Sequence, residues 1–275
     1  MNLHTLLLTQ NECYRYNKKI TVKGICVHST GANNPMLRRY VGPDDGLLGN
    51  NQYNNHWNQF RPDGRQVCVH AFIGKLANGS IATYQTLPWE IESWHGGSGV
   101  NGRINDTHIG FEICEDGLID KNYFDAVYKE AVELTAYLCK KFNLDPTSNG
   151  TVICHAEGYK RGIATNHGDV NHWFPKFGKT MDMFRADVKK LTSTAPPVSE
   201  SSPSSKTSVN PTLKIGDKVT VKNVTLDKFG STYDGNKFKV YYQIYDVIRV
   251  SGDRIVIGIG DVVTAAVNIK NLIKL

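Results

Sequence analysis

The sequence predicts two folded parts: an α/β domain with helices packed on the faces of a central sheet, then a small all-β barrel. Three observations carry this. Over the first 192 residues, strand-like apolar runs are interleaved with stretches of helical period. A Ser/Pro/Thr tract then interrupts the chain at residues 193–211. Beyond it, short β-branched segments are punctuated by Gly and Asp turns.

In the first part, residues 25–27, 67–73, 81–84, 109–114 and 151–154 read as strands. From 122 to 142, apolar residues recur at Phe124, Val127, Tyr128, Ala131, Leu134, Leu138 and Phe142. That three-and-four spacing marks an amphipathic helix, introduced by Asp120 and stopped before Pro146. A second helix is expected over 180–191, packing Met183, Phe184 and Val188, and a shorter one around 51–60. The tract STAPPVSESSPSSKTSVNP has almost nothing to bury and behaves as a linker. It leaves a domain over 1–192 and another over 212–275, which opens LKIGDKVTVKN and closes AAVNIKNLIKL.

The chain has 275 residues, with 40% hydrophobic and 21% charged side chains, the composition of a globular protein. Its longest apolar runs fall far below the roughly 18 residues that a membrane helix needs. The start, MNLHTLLLTQNE, has no basic n-region, long h-region or small-residue cleavage site, so no secretory signal is expected. All six cysteines lie in the first 154 residues with no C-x-x-C pair; they read as buried reduced thiols, suited to a reducing cytoplasm. The net charge is +6, of which residues 212–275 hold +4, from ten Lys/Arg against six Asp. Such a basic module suits an anionic polymer. Without a Lys/Arg-rich helix or an RNA-binding aromatic motif, nucleic acid is not the expected partner.

All nine histidines precede residue 173, and three of them fall in CHAEGYKRGIATNHGDVNHW. Histidine is the commonest metal ligand. His28 and His155 each end an apolar strand, so two strand ends could present imidazoles to one edge of the sheet. The following loop supplies His167, Asp169 and His172 as further candidates. Three protein ligands with an open fourth position are the pattern of a catalytic zinc, which lowers the pKa of a bound water to about 7. Glu112, in IGFEIC, shares a strand face with Gly110 and Cys114, opposite Ile109, Phe111 and Ile113. A carboxylate in such a run needs a partner, which makes Glu112 the candidate proton shuttle.

Taken in order, VHST, VHAFIG, SWHGG, IGFE and ICHAE resemble the zinc-dependent N-acetylmuramoyl-L-alanine amidases of the type 2 family, which includes phage endolysins and the animal peptidoglycan-recognition proteins. The resemblance covers roughly residues 20–190. It implies a mixed sheet flanked by helices, one zinc in a groove, and cleavage of the amide between the lactyl group of muramic acid and L-alanine. By the same resemblance His28 and His155 are zinc ligands, Glu112 handles the proton, and Trp94 and His95 line the substrate groove. The third ligand departs from the family pattern, because no D-P-G or C-P element follows His155 at the usual spacing. Asp169 fits if NHGDVNHWF stands for the family's K-x-D-P-G-P-x-F, and His167 is then free to polarise the carbonyl and hold the oxyanion. His172 fits if HWFP replaces the C-P element, with Asp169 orienting it. His4, His56, His70 and His108 are expected to be surface or packing residues. Val69 stands where some phage members carry a tyrosine, so no role for that tyrosine is inherited.

The segment 212–275 resembles bacterial SH3-type wall-binding modules. Together these features lead to the expectation of an endolysin, a monomer or weak oligomer. It would be made in the host cytoplasm without a signal peptide and reach the wall after holin-type release. Its partner would be peptidoglycan, and neither nucleic acid nor membrane insertion is expected. The alternative is a non-catalytic protein that recognises peptidoglycan without cutting it.

Overall fold

The apolar runs pair into a six-stranded sheet in a computed structural model that describes residues 1–193, 213–222, 224, 228–259 and 262–274. In chain order the first part comprises β1 (Leu3–Thr5), α1 (Glu12–Tyr16), β2 (Gly24–Asn33), β3 (Ala71–Lys75), β4 (Ile81–Gln85), β5 (His108–Glu115), α2 (Lys121–Lys141), β6 (Val152–Cys154), α3 (His155–Lys160) and α4 (Met181–Ser193). The strand order is β1-β4-β3-β5-β2-β6. Only the β3–β4 pair is antiparallel, so the sheet is mixed.

The period-two alternation of β2 and β5 sorts their side chains. Ile25, Val27, Ile109, Phe111 and Ile113 face a core made with Phe124, Val127, Ala131 and Leu134 of α2 and Phe184 of α4. Cys26, His28, Gly110, Glu112 and Cys114 fall on the opposite face by the same alternation. Two helices cover one face; on the other, Leu37, Tyr40, Val41 and Leu48 pack against Phe72, Tyr84 and Cys114, and the polar side chains of the site lie beside them. Asp120 caps α2 by accepting from the backbone N–H groups of Asn122 and Tyr123, as its place before the periodic run requires.

Three local expectations change. No helix forms over 51–60. Instead the Asn51 side chain donates to the Arg38 carbonyl and to Asn55, accepts from the Tyr53 N–H, and Asn54 adopts φ 45°. Such side-chain-to-backbone bonds compete with helix formation. In α4 the buried face is Met181, Phe184 and Val188, while Met183 is exposed. Ser193, read as the first linker residue, ends α4; the rest of the expected linker lies outside the described residues.

The chain divides into two compact units, Met1–Ser199 and Glu200–Leu275, at a point that also lies outside the described residues. In the second unit β7 (Lys218–Val221), β8 (Phe229–Ser231), β9 (Lys237–Lys239), β10 (Tyr245–Ser251), β11 (Arg254–Ile259), β12 (Val262–Asn268) and β13 (Leu272–Lys274) follow one another. They form an antiparallel five-stranded sheet, β12-β11-β10-β7-β13, and a β8–β9 hairpin around Val219, Tyr245, Val247, Ile255, Ile257 and Val267. No helix among the described residues is long and apolar enough to cross a membrane. All six cysteines are buried and free, as the sequence led us to expect.

Candidate active site and metal centre

β2 and β5 lie side by side with His28 in register with Glu112. Residues paired across neighbouring strands share a face, so both project away from α2. On the other edge of β2, Val27 pairs with Cys154, and the chain passes directly into α3, whose first residue is His155. A 3-10 turn, Asp169–His172, returns against β2. Val170, Trp173 and Phe174, all buried, pin this turn. Asp169 itself has φ 44°, a left-handed conformation that few non-glycine residues adopt and that Asp tolerates better than most. Strain of this kind persists only where surrounding packing over-determines it, commonly at functional sites.

The result is a three-residue cluster. Asp169 Oδ2 lies 3.4 Å from His28 Nδ1 and 3.0 Å from His155 Nδ1. All three ligand atoms lie within 4.8 Å of one another. A tetrahedral zinc bonded at about 2.0–2.1 Å separates its ligand atoms by about 3.3 Å, so the donor set fits such an ion. The chemistry fits as well. His28 is 1% exposed, and burial lowers its pKa despite the opposing pull of Asp169, which leaves a neutral imidazole at pH 7. For Asp169, burial acts upward, but the neighbouring His28 and His155 outweigh it and hold the carboxyl well below the usual carboxylate range. Asp169 Oδ2 is buried yet has no hydrogen-bond partner. A negative oxygen facing two imidazole nitrogens without a hydrogen bond could hold a cation.

Glu112 stands beside this cluster. Burial, then the charges of Asp169 and Glu115, raise its pKa well above that of an ordinary glutamate. Its Oε2 is buried without a partner. A carboxyl group held near its protonated form inside a polar cluster is matched to proton transfer at neutral pH. The His167 ring is exposed and packs 4.8 Å, centroid to centroid, from the His155 ring.

Two expected residues are placed elsewhere. His172 is not brought into the cluster; its Nε2 lies 2.8 Å from Oε1 of buried Glu115. The anchored 3-10 turn sends residues 169 and 172 to different neighbours, so of the two candidates for the third ligand only Asp169 meets His28 and His155 in this structure. His95 was expected to meet substrate, but both its ring nitrogens are engaged within the protein. Nδ1 lies 2.8 Å from His28 Nε2, and Nε2 lies 3.2 Å from the His108 carbonyl oxygen. Burial, reinforced by the neighbouring His28, His70 and His108, keeps its pKa well below the ordinary value. Cys26, His28 and His95 also cluster within 4.8 Å. There the imidazoles already contact each other, and burial pushes the Cys26 thiol up, so this set lacks a thiolate and is packing.

Trp94 is half-buried against Leu8, Cys13, Cys68 and Leu87, and it lines a cavity of about 340 Å³ with Tyr16, Lys18, Glu92 and Arg103. The remaining histidines are structural. His70 is fully buried, its Nε2 at 2.8 Å from the Ile91 carbonyl oxygen and its Nδ1 accepting from the Gly110 N–H. His108 meets the Gly150 carbonyl, His56 is buried and His4 stacks on Tyr84. Two residues at the site carried no sequence signal. Thr165 Oγ1 lies 3.2 Å from His155 Nε2, and Glu115 engages His172. Neither belongs to a motif, and only the folded chain brings them to their partners.

Residues 17–172 match the family of N-acetylmuramoyl-L-alanine amidases. The chain belongs to this family. As an N-acetylmuramoyl-L-alanine amidase it is a peptidoglycan hydrolase, cleaving the amide that joins N-acetylmuramic acid to L-alanine. The search of curated proteins finds no match. Among solved structures the amidase is similar to the Staphylococcus aureus hydrolase AmiA in complex with its ligand, at 19% identity over 70% of this chain and 82% of that one, with a TM-score of 0.49. It is also similar to the PlyG catalytic domain (18% identity, 74% and 100% covered, TM-score 0.48) and the catalytic domain of XlyA (22%, 68% and 99%, 0.47).

Proposed function

We propose that this amidase is a zinc-dependent endolysin whose His28, His155 and Asp169 hold the metal and whose Glu112 moves the proton. The observation that carries the reading is the convergence of two imidazole Nδ1 atoms on the unpaired Asp169 Oδ2, beside the orphaned Glu112 Oε2. Bound there, zinc would supply Lewis acidity, lowering the pKa of a coordinated water to about 7 and polarising the scissile carbonyl. Glu112 accepts the proton of the attacking water and delivers it to the nitrogen of the departing L-alanine. Its raised pKa suits the second half of that task, since a carboxyl that holds its proton near neutrality can also give it up. The exposed His167 ring donates toward the carbonyl oxygen as negative charge develops on it. Trp94 offers an aromatic wall to the glycan or stem peptide.

The same reading gives the expected linker after Ser193, residues 194–211, the part of a tether and residues 212–275 that of an SH3-type wall-binding module. A tethered binder raises the local concentration of the catalytic unit on an insoluble polymer. The ten Lys/Arg against six Asp of that segment suit an anionic wall. The enzyme would be made in a phage host and released to the wall through membrane holes.

Metal analysis together with peptidoglycan digestion tests the core of this reading. One zinc per chain is expected, with release of L-alanine amino termini that a chelator abolishes and added zinc restores. Muropeptide binding by the metal-free protein, with no new amino termini under any metal, would refute it. Removing residues 200–275 is expected to weaken wall binding while leaving hydrolysis of small soluble muropeptides within a few-fold. Equal loss in both assays would mean that the two units act as one.

A further inference from the structure

We infer that residues 95–96 and Thr165 are positioning residues that fix both zinc-facing imidazoles in the tautomer whose Nδ1 is free to bind metal. The inference rests on the zinc reading above. It is carried by two hydrogen-bond relays, each ending on a backbone carbonyl.

The first relay begins at the His108 carbonyl oxygen, which can only accept. His95 Nε2, 3.2 Å away, must therefore carry the ring proton, and with one proton per ring His95 Nδ1 is an acceptor. His28 Nε2 sits 2.8 Å from that acceptor and so must be the donor. The His28 lone pair is left on Nδ1, the atom that faces Asp169.

The second relay uses a hydroxyl. Gly96 O again only accepts, and Thr165 Oγ1 lies 3.2 Å from it, so the hydroxyl donates there. Its lone pair then receives the proton of His155 Nε2 at 3.2 Å, which leaves the His155 lone pair on Nδ1, 3.0 Å from Asp169 Oδ2.

The two relays meet in adjacent residues, the ring of His95 and the carbonyl of Gly96. Thr165 also donates its backbone N–H to Gly96 O at 2.9 Å, holding the loop after α3 against this segment. The His95 ring lies across Gly110 of β5 so closely that a Cβ there would stand 2.4 Å from it. The bare strand backbone is what admits the ring. Were either ligand to adopt the other tautomer, a proton would occupy the metal-facing nitrogen, and binding would first have to move it. Partners that fix a ligand imidazole in this way typically contribute 10–100-fold in metal affinity.

The test uses the full chain with 15N-labelled histidine, reading ring tautomers in the metal-free protein and zinc affinity by chelator competition. In the wild type both His28 and His155 are expected to be protonated on Nε2 alone. Thr165→Val is expected to populate the second tautomer at His155, leave His28 unchanged, and weaken zinc by roughly 10–100-fold. Thr165→Ser, which keeps the hydroxyl, restores both. His95→Phe is expected to release His28 in the same way while His155 keeps its tautomer. If Thr165→Val folds and leaves both tautomer and zinc affinity at wild-type values, the inference fails. The tautomer readout needs no metal, so it stands or falls separately from the zinc reading itself.

Discussion

Glu112→Gln is expected to keep one zinc per chain and to lose turnover by roughly 10²–10⁴-fold, the usual contribution of a positioned acid–base group. Glutamine keeps the shape and polarity of the side chain but cannot take a proton from water or return one to an amine. The same variant carries a stability signature of the carboxyl's burial. In the folded, metal-free chain the carboxyl pKa is raised, first by burial and then by Asp169 and Glu115. The unfolded chain therefore loses this proton at lower pH than the folded one does. Stability is greatest below the unfolded value of about 4.3, and it falls as pH rises through the folded value. Glutamine removes that penalty. In chelator-treated protein the melting temperature of Glu112→Gln is expected to exceed that of the wild type, by a margin that widens from pH 4 upward. A catalytically silent substitution would take Glu112 out of the mechanism, and a margin that does not change with pH would mean that burial does not raise its pKa.

Asp169→Asn is expected to remove zinc more completely than any change in the surrounding hydrogen bonds, which cost roughly 10–100-fold. Asparagine is a clean replacement at this position. It tolerates the left-handed conformation at φ 44° about as well as aspartate does, so the backbone of the 3-10 turn has no reason to move. What changes is the charge of the oxygen facing the two imidazoles. Without it, a dication has only neutral donors in a largely buried site, where an uncompensated charge is costly. The expected outcome is loss of both stoichiometric zinc and amidase activity, with far-ultraviolet circular dichroism unchanged. The parallel change His172→Ala, which breaks only the contact with Glu115, is expected to leave bound zinc intact. Zinc retained by Asp169→Asn and lost by His172→Ala would reverse the assignment.

The contrast between these two residues shows where sequence reading stopped. The loop NHGDVNHWF offers an aspartate and a histidine three residues apart, and both are good ligands. Spacing along the chain could not rank them, because their directions depend on how the turn is anchored. Val170, Trp173 and Phe174 are buried in and around the core beneath α2, and that anchoring sends Asp169 to His28 and His155 while His172 meets Glu115. The orientation of His95 was beyond sequence reading for a related reason. Its motif placed it near the groove, but the direction of its ring depends on Gly110, a residue on a different strand whose missing side chain makes room for it. The absent helix at 51–60 failed locally: the asparagines there bond to neighbouring backbone more effectively than a helix would use them.

What the sequence determined by itself was whatever repeats at short range. The alternation of IGFEIC put Glu112 on the face opposite the apolar core, the three-and-four spacing gave α2 with Asp120 as its cap, and the apolar runs that lead into His28 and His155 made them ligand candidates, although His28 proves to lie within β2 rather than at its end. Each of these follows from backbone periods of two or 3.6 residues, which any stretch of chain displays without its partners. What only the tertiary structure decided was which groups meet across the sheet: the register of β2 with β5, the pinned turn at Asp169, and the two relays through His95 and Thr165. Those depend on packing between segments far apart in the chain, and packing is a property of volumes and directions that no local pattern encodes.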